Sequence, residues 1–356
     1  MAIKTGIQWC DHTFNGWRGC VECSCGCAHC YARILSYRNP RLLGKWGKEG
    51  VGTRIVAAES YWREPLKWNR QARAAGVCRR VFSASLSDVF EEWEGPMHDI
   101  KGRQLFVSDE YAGFWVPDGC LDGLPPKYQA ELWGKKTRPV RMQDARHRLL
   151  GMIAGTKGLD YLLLTKRPHI AKRYLGKKTN MWRAASHLAH AMYGPEGSIG
   201  DGLCEWPPSN VWLGVSVENR KDGLPRIDVL RTIKVPIRFL SIEPLLEDLG
   251  ELDLTGIHWV IVGGESGSKA RPFDLAWARK IRDQCREQGV ACFIKQLGYR
   301  PFTREPARDS RIGVYAPTMS GKRDGSDDTY GLCLHDSHGG DWSEWPEDLR
   351  VRQLPR

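Results

Sequence analysis

Short apolar runs rich in β-branched residues recur along the chain, and a stretch of helical character follows each one. Strands buried on both faces of a parallel sheet have this continuous apolar composition, because helices cover both sides. The pattern therefore predicts an alternation of about seven strand and helix units. The expected strands cover residues 7–10, 81–85, 161–165, 211–217, 237–242, 259–263 and 291–295.

The stretches between these runs predict the helices and the fold class. The expected helices cover about residues 57–75, 142–154, 169–174, 224–232 and 275–288, and Gly289 follows the last as a C-terminal cap. We expect an α/β fold, namely a complete or partial (β/α) barrel with insertions and a C-terminal extension. The expected boundaries are a barrel over 1–299, an insertion over its mouth at 94–140, and an extension packed on the barrel at 300–356.

Polar residues follow almost every predicted strand, at the end where the chemistry of a barrel gathers. The catalytic candidates among them are charged. A buried carboxylate such as Glu243 needs a cation or a pair of ligand hydroxyls, and a salt-bridge network inside the mouth is the competing interpretation. These catalytic candidates are Glu243, Lys166, Arg167 and Lys295. The ligand-binding candidates are Ser85, Ser87, Asp88, Ser216, Glu218, Glu243, Gly263, Gly264, Glu265 and Ser266.

The charge balance favours a polyanionic partner. Lys and Arg number 53 against 42 Asp and Glu, which gives a net charge of +11, although no long basic run concentrates it. Nucleic acid, with DNA preferred, is the expected partner, and a merely basic surface is the alternative. The insertion could stack on bases or form a structural lid, and its candidate residues are Phe114, Trp115, Tyr128 and Trp133 beside Lys127, Lys135, Lys136 and Arg138.

Cysteine usage points to metal or redox chemistry. The start of the chain lacks the apolar region of a secretory signal, and no apolar stretch approaches the roughly 18 residues of a membrane span. We therefore expect a cytoplasmic protein with no membrane contact. In that reducing compartment, a local cluster of thiols indicates a metal or redox site rather than disulfides, and five of the 12 cysteines lie between Cys20 and Cys30.

Two sets of three thiols within this cluster could hold a metal. They are Cys20, Cys27 and Cys30, or Cys23, Cys27 and Cys30, and the second has the C-x3-C-x2-C spacing typical of radical SAM enzymes. Thiolates are soft ligands that suit iron-sulfur clusters. A closed zinc site is the alternative, since Cys20, Cys23, Cys27 and either Cys30 or His29 would supply four ligands. A second cysteine pair, which zinc knuckles usually have, is missing elsewhere in the sequence.

The segment TGIQWCDHTFNGWRGCVECSCGCAHCYA resembles the opening of a phage- and prophage-associated protein family of uncharacterised function with a three-cysteine, radical-SAM-like signature. The resemblance continues in the same order through YLLLTKRP, RFLSIEPLLEDLG, VIVGGESG and FIKQLG, and covers nearly the whole chain outside the insertions. It implies a barrel of the radical SAM type. It also implies that Cys20, Cys27 and Cys30, at C-x6-C-x2-C, hold a [4Fe-4S] cluster, with Cys23 as the alternative first ligand.

The resemblance further implies an enzyme that reductively cleaves S-adenosylmethionine to a 5′-deoxyadenosyl radical and acts on nucleic acid in repair or modification. Such an enzyme needs an external electron donor, and a further partner protein is left open. The loop from Ser85 to Asp88 is then expected to hold the methionine end of the cofactor, while Ser216, Glu218, Glu243 and the Gly263 to Ser266 turn contact cofactor or substrate. The alternative is a non-catalytic, zinc-stabilised nucleic-acid-binding protein.

Overall fold

The structure is a computed structural model that describes residues 5–108, 115–117, 137–176, 206–304, 315–317 and 330–355. Its strands are β1 (His12–Phe14), β2 (Trp17–Arg18), β3 (Arg54–Val56), β4 (Arg79–Ser83), β5 (Met97–His98), β6 (Leu105–Ser108), β7 (Trp115–Pro117), β8 (Thr137–Pro139), β9 (Leu159–Thr165), β10 (Val211–Ser216), β11 (Ile237–Ile242), β12 (Trp259–Gly263), β13 (Phe273–Asp274), β14 (Ala291–Gln296), β15 (Pro301–Thr303), β16 (Tyr315–Pro317) and β17 (Tyr330–Leu332).

Helices alternate with the strands along most of the chain. They are α1 (Tyr31–Arg38), α2 (Pro40–Leu43), α3 (Glu59–Trp62), α4 (Glu64–Ala74), α5 (Met142–Gly155), α6 (Pro168–Leu175), α7 (Arg220–Arg231) and α8 (Leu275–Glu287), with short 3₁₀ turns at Cys25–Cys27, Trp342–Glu344 and Glu347–Leu349. Among the described helices, none has both the length and the apolar composition that crossing a membrane requires.

The fold is mixed α/β, and its largest sheet has seven strands in the order β1-β4-β9-β10-β11-β12-β14. The pairs β1 with β4, β4 with β9, β11 with β12, and β12 with β14 are parallel. The order is open, because it begins at β1 and ends at β14. The expected α/β class with a parallel sheet is therefore confirmed, and the open order agrees with a partial rather than a complete barrel.

The chain divides into two compact units. The first comprises Met1–Cys23, Cys30–Trp212 and Ile233–Pro236. It contains β1, β4 and β9, and its core includes Phe14, whose ring packs edge-on against the buried Trp62 at 5.2 Å between centroids. Helix α5 is buried along almost its whole length, even at charged positions such as Arg148, whose guanidinium pairs with Glu59 at 2.6 Å.

The second unit comprises Ser24–His29, Leu213–Thr232 and Ile237–Arg356. In its core, the fully buried Trp259 lies between Phe239 and Phe293, with ring centroids 5.9 and 6.0 Å away. A smaller sheet of this unit has the order β13-β15-β17-β16. The indole N–H of Trp259 donates to the carbonyl of Gln353 at 2.9 Å, which fixes the C-terminal residues on this core. The expected barrel and extension boundary at 299 stays a prediction.

Three expected elements differ from the observed ones. The first strand is His12–Phe14 rather than 7–10, because it is His12–Phe14 that aligns with Val81 to Ser83 on β4. The helix expected over 57–75 is two helices that meet at Arg63, just ahead of Pro65, a residue that fits only the first turn of a helix. Helix α7 begins before residue 224, because the Asn219 side chain accepts a hydrogen bond from the Asp222 N–H at 2.7 Å and caps it.

The expected insertion is described only in part. Its aromatic candidates Phe114, Tyr128 and Trp133, and its basic candidates Lys127, Lys135 and Lys136, lie outside the described residues. Of the other two candidates, Trp115 packs against Trp62 and against the Arg148 guanidinium, 4.8 Å from its ring. Arg138 pairs with Asp144 at 2.8 Å. These contacts favour the structural interpretation for Trp115 and Arg138.

Candidate functional site

The five clustered cysteines are divided between the two units. Cys20, Cys23 and Cys30 belong to the first unit, and Cys25 and Cys27 to the second. Cys20 and Cys27 are buried, Cys30 is half-buried, and Cys23 and Cys25 are exposed. Within the described residues, no three His, Cys, Asp or Glu side chains are grouped so that they could hold a metal ion. The ligand set Cys20, Cys27 and Cys30, with Cys23 as the alternative first ligand, stays a prediction that rests on the family resemblance.

In the first unit, Asp88 joins the ends of two strands to the cysteine loop. It follows β4, and its carboxylate accepts hydrogen bonds from the Thr165 hydroxyl (2.7 Å) and the Lys166 N–H (3.1 Å), at the end of β9. The same carboxylate pairs with the Arg167 guanidinium at 2.8 Å. Arg167 also donates to the Val21 carbonyl at 3.0 Å, next to Cys20. This chain of contacts anchors the first half of the cysteine loop to residues at the carboxyl ends of parallel strands.

The electrostatics of this cluster follow from burial and charge. Burial is the largest single effect and would lower the pKa of Arg167, but Asp88, Cys20, Cys23 and Glu91 together outweigh it, so the pKa rises. Burial raises the pKa of the Cys20 thiol, and the nearby Glu91 and Asp88 carboxylates raise it further. Asp88 and Arg167 thus form an ion pair next to the buried Cys20 thiol. Sequence analysis proposed Asp88 for cofactor binding and Arg167 for catalysis. In the structure the two side chains pair with each other, and Arg167 binds the cysteine loop at Val21.

A second buried ion pair of the first unit supports the cysteine loop from its other side. Arg54 and Glu91 are completely buried and pair at 2.6 Å. Burial raises the pKa of Glu91, and the opposing effect of Arg54 is smaller. Arg54 donates to the Gly47 carbonyl at 3.2 Å, and the Gly47 N–H donates to the Cys20 carbonyl at 3.0 Å. Sequence analysis named neither member of this pair as a candidate, because a residue pattern does not show which buried charges the fold brings together.

The turn after β4 uses the hydroxyls that were expected to bind the cofactor. The Ser85 hydroxyl lies 3.0 Å from the Asn15 amide nitrogen, and the Ser87 hydroxyl donates to the Trp17 carbonyl at 3.2 Å. Ala84, which opens the turn, has a φ of +64°, a left-handed conformation that is unfavourable for alanine. These bonds explain how the turn holds its shape, and the cofactor role of Ser85 and Ser87 stays a prediction.

In the second unit, Glu218 lies two residues after the end of β10 and holds the 3₁₀ turn of the cysteine loop. Its side chain is fully buried and pairs with Arg226 of α7 at 2.7 Å. It also accepts a hydrogen bond from the Ser24 hydroxyl. Gly26 lies so close that a Cβ atom there would be 2.7 Å from the Glu218 Oε1. The same Arg226 donates to the Ser216 carbonyl at 2.7 Å. Glu218 and Ser216, both expected to bind the cofactor, thus take part in contacts within the protein. We call the pair of Glu218 and Arg226, which holds the turn, the buried clamp.

Glu265 holds the same turn from a different strand end of the second unit. Its carboxylate pairs with Arg271 at 2.7 Å and lies 2.9 Å from the His29 Nδ1. Arg271 also donates to the Cys25 carbonyl at 3.1 Å. Burial alone would raise the pKa of Glu265, but the hydrogen bonds from Arg271 and His29 outweigh it, so the pKa is lowered. The carboxylate is therefore ionised and fixed in place. The Asn219 amide approaches the Cys25 sulfur at 2.9 Å.

The remaining candidates of the second unit lie at the ends of β11, β12 and β14. Glu243 pairs with Lys295 at 2.6 Å, and both side chains are largely buried. A Cβ atom at Gly263 would lie 3.2 Å from the Glu243 side chain, and one at Gly264 would collide with the Leu297 carbonyl. Close approach of the neighbouring backbone therefore explains Gly264, and Gly263 lies close to both the Glu243 side chain and the Gln296 carbonyl. Ser266 is half-buried beyond it.

In the second unit, sequence analysis missed Arg226, Arg271 and Gly26. A buried carboxylate requires a cation, but sequence analysis applied this argument to Glu243 alone and not to Glu218 or Glu265. Nothing in the sequence pattern, however, singles out Arg226 among the basic residues of α7. Lys295, by contrast, was among the cations expected to meet Glu243, and it does so.

The fold and the site define an α/β protein whose cysteine loop is hydrogen-bonded to side chains that lie two residues after strand ends, namely Arg167, Glu218 and Glu265. The chain belongs to the family described as "Protein of unknown function (DUF5131)", which matches residues 4–99 and 137–321. Comparison with curated proteins finds no match.

Solved structures of spore photoproduct lyase are similar to the chain at low identity. A cysteine-to-serine mutant has a TM-score of 0.33 and 11% identity, covering 91% of this chain and 69% of that chain. A double mutant with bound AdoMet and dinucleoside spore photoproduct has a TM-score of 0.34 and 11% identity, covering 91% and 68%. A complex with dinucleoside spore photoproduct has a TM-score of 0.32 and 10% identity, covering 90% and 67%. Similarity at these TM-scores does not establish a common activity.

Proposed function

We propose that this chain is a radical SAM enzyme that reductively cleaves S-adenosylmethionine and acts on nucleic acid. The observation that carries the proposal is the attachment of the cysteine loop to the carboxyl ends of parallel strands. In the first unit, Arg167 after β9 holds the Val21 carbonyl. In the second, Glu218 after β10 accepts a hydrogen bond from Ser24. Reactive groups in (β/α) barrels gather at these ends, which is where a cysteine-bound cofactor has to lie.

The donor set suits an iron-sulfur cluster. Cys20, Cys27 and Cys30 would hold three irons, with Cys23 as the alternative first ligand, because soft thiolates are the ligands such clusters prefer. When bound, a [4Fe-4S] cluster supplies the electron that splits S-adenosylmethionine into methionine and a 5′-deoxyadenosyl radical. An external donor has to replace that electron. The phage and prophage association implied by the resemblance stays a prediction.

The roles of the chain's own residues follow from their contacts. The Asp88 and Arg167 pair orients the loop on the side of Cys20. The Glu218 and Arg226 pair fixes the turn that carries Cys27. Both pairs are largely buried, so they keep water away from the backbone of the loop. Glu243 and its partner Lys295, which retain some exposure at strand ends, are the charged groups placed to meet a ligand.

Nucleic acid is the proposed substrate class because the chain carries a net charge of +11. Binding through phosphates should weaken steeply as salt rises and should depend little on sequence. Chemistry on a base requires that base to leave the stack, so single-stranded or damaged DNA should bind better than intact duplex. Trp115 and Arg138 are packed against their own unit and are not assigned to this contact.

The test is anaerobic reconstitution with iron, sulfide and a chemical reductant. The wild type should turn brown and yield 5′-deoxyadenosine from S-adenosylmethionine, detected by mass spectrometry. Cys27→Ala and Cys30→Ala should each lose iron and sulfide, because both proposed ligand sets use these residues. Cys78→Ala is the matched control, since this exposed cysteine lies outside the loop, and it should retain both.

Two further comparisons sharpen this experiment. Cys20→Ala should lose the cluster and Cys23→Ala should keep it; the reverse would assign Cys23 as the first ligand. Full iron content in Cys27→Ala or Cys30→Ala would contradict the ligand assignment. A colourless protein that holds zinc and binds nucleic acid would replace the enzyme with the zinc-stabilised binding protein.

A further inference from the structure

Helices α1 and α2 of the first unit present an exposed surface directly after the cysteine loop. Ala32 and Ser36 of α1 are buried. Another side of the helix carries Tyr31, Leu35 and Arg38, which are neighbours because residues three and four apart meet on a helix. Tyr31 and Leu35 are 50% and 39% exposed. We use the name α1 face for six exposed residues of the two helices, namely Tyr31, Ile34, Leu35, Tyr37, Arg38 and Arg41.

The tyrosines of the α1 face offer rings on which a base can stack. Tyr37 is 66% exposed, more than any other large apolar or aromatic side chain of the described residues. The Arg33 guanidinium lies over the Tyr37 ring, 5.6 Å from its centroid, and Glu22 pairs with Arg33. Binding of nucleic acid with little sequence preference uses this combination, because every base has a flat face that stacks on an aromatic ring and arginine adds a cation–π contribution.

The same stretch of chain concentrates positive charge. Residues 31–48 contain five Lys and Arg and no Asp or Glu. Apart from Arg33 these cations are exposed, and they are Arg38, Arg41, Lys45 and Lys48. A cluster of cations with no acid between them attracts phosphates, and each phosphate contact releases counterions from the nucleic acid.

An unpaired nucleic acid fits this surface better than a protein does. Protein interfaces are depleted of lysine, whereas Lys45 and Lys48 follow α2 directly. Sites for single-stranded nucleic acid combine a cationic track with aromatic rings, and the α1 face has both. The aliphatic Ile34 and Leu35 agree with this partner, since such side chains pack against thymine methyl groups and between unstacked bases.

The α1 face lies beside the carboxyl end of a strand of the parallel sheet. The Tyr31 hydroxyl donates to the Ser85 carbonyl at 2.5 Å, in the turn after β4. The chemistry of a barrel gathers at these strand ends, so a polymer bound there passes close to the candidate site of the first unit. We propose that the α1 face binds an unpaired stretch of nucleic acid, which rests on the proposed function and gives its substrate a contact surface. Tyr31 and Tyr37 stack on bases, and Arg38 and Arg41 contact phosphates.

The test measures the binding of a fluorescein-labelled oligothymidylate, and of its duplex with oligoadenylate, by anisotropy over a range of salt concentrations. Tyr37→Ala removes the stacking ring, and Tyr37→Phe keeps it. Arg38→Gln with Arg41→Gln removes two cations from the α1 face. Lys67→Gln with Arg70→Gln is the matched control, since it removes the same charge from exposed positions on α4 of the same unit.

We expect Tyr37→Ala to bind the single strand about tenfold more weakly and Tyr37→Phe to bind like the wild type, because stacking needs the ring and not the hydroxyl. The Arg38→Gln, Arg41→Gln variant should lower the slope of log affinity against log salt by about 1.4, at about 0.7 for each lost phosphate contact, while the control leaves it unchanged. The wild type should prefer the single strand to the duplex.

Several results would overturn the proposal. They are wild-type affinity in Tyr37→Ala, an equal loss in the two double variants, a preference for duplex, and no binding by the wild type. A wild-type dimer that Ile34→Ser with Leu35→Ser dissociates in sedimentation would assign the α1 face to self-association instead. Formation of 5′-deoxyadenosine without nucleic acid tests the proposed function separately. A wild type that yields none, yet binds the oligothymidylate through Tyr37, would fail the proposed function and keep the binding surface.

Discussion

The buried clamp formed by Glu218 and Arg226 can be measured by removing the charge of the carboxylate. The Glu218 side chain is fully buried and that of Arg226 is 9% exposed, with 2.7 Å between them. Glu218→Gln keeps the size of the side chain but leaves the Arg226 cation without its carboxylate. Breaking a buried pair from one side costs about 3–5 kcal/mol, because the remaining charge stays desolvated. We expect a loss of that size in the free energy of unfolding.

A double-mutant cycle isolates the pair itself. Arg226→Met in the Glu218→Gln background removes the stranded cation, so the double variant should recover about 1 kcal/mol or more relative to the sum of the single variants. The assay is urea unfolding followed by circular dichroism. Glu92→Gln is the control: Glu92 pairs with Arg173 at 3.0 Å where both side chains are mostly exposed, and the change should be within about 0.5 kcal/mol.

A second readout addresses the cysteine loop. Because Glu218 also accepts the Ser24 hydrogen bond, its substitution should loosen the turn and speed the reaction of the buried Cys27 with a thiol reagent. Wild-type stability and wild-type thiol reactivity in Glu218→Gln would refute the clamp. If Glu218→Gln kept wild-type stability and thiol reactivity but bound S-adenosylmethionine more weakly, Glu218 would have the cofactor-binding role expected from the sequence instead of the clamp role.

Two further predictions concern the same turn. Gly26→Ala should destabilise the protein by about 1–3 kcal/mol, because the new Cβ would lie 2.7 Å from the buried Glu218; Gly6→Ala, with no atom within 4 Å, should be nearly neutral, and equal unfolding curves would contradict this. The lowered pKa of Glu265 contributes stability above its ordinary value of 4.5 that is lost as pH falls through the folded-state pKa. The stability difference between wild type and Arg271→Met should therefore shrink below about pH 4.5 in unfolding titrations, and a constant difference would exclude this linkage.

The sequence predicted the strands that sit in the middle of the large sheet and misplaced the first one. Strands β10, β11 and β12 consist mostly of apolar residues, so their positions could be read from composition alone. Strand β1 has only three residues, His12–Phe14, and one of them is histidine. Its place is fixed by pairing with β4, a long-range contact that leaves no local signal.

In the candidate site, too, the sequence shows residue types but not the contacts that the fold creates. The cysteines and the polar strand ends stand out because their residue types are unusual where they occur. Whether a strand-end carboxylate faces a ligand or a partner side chain depends on which cation the fold brings to it. Glu218 meets Arg226 in the middle of α7, and Glu265 meets Arg271 and His29. Those pairings arise from tertiary packing, which a residue pattern does not contain.

The C-terminal residues close the end of the large sheet at β14. The Ile294 N–H donates to the Val351 carbonyl at 2.8 Å, the Gln353 N–H donates to the Cys292 carbonyl at 2.8 Å, and Phe293 bridges antiparallel to Arg352. A terminal strand left uncovered is a template on which another chain can add a strand and begin to aggregate. Residues 351–353 therefore cover the edge of β14 on which another chain could add a strand. A chain shortened before Val351 would expose backbone donors and acceptors of β14, and would keep its core while losing its resistance to strand addition.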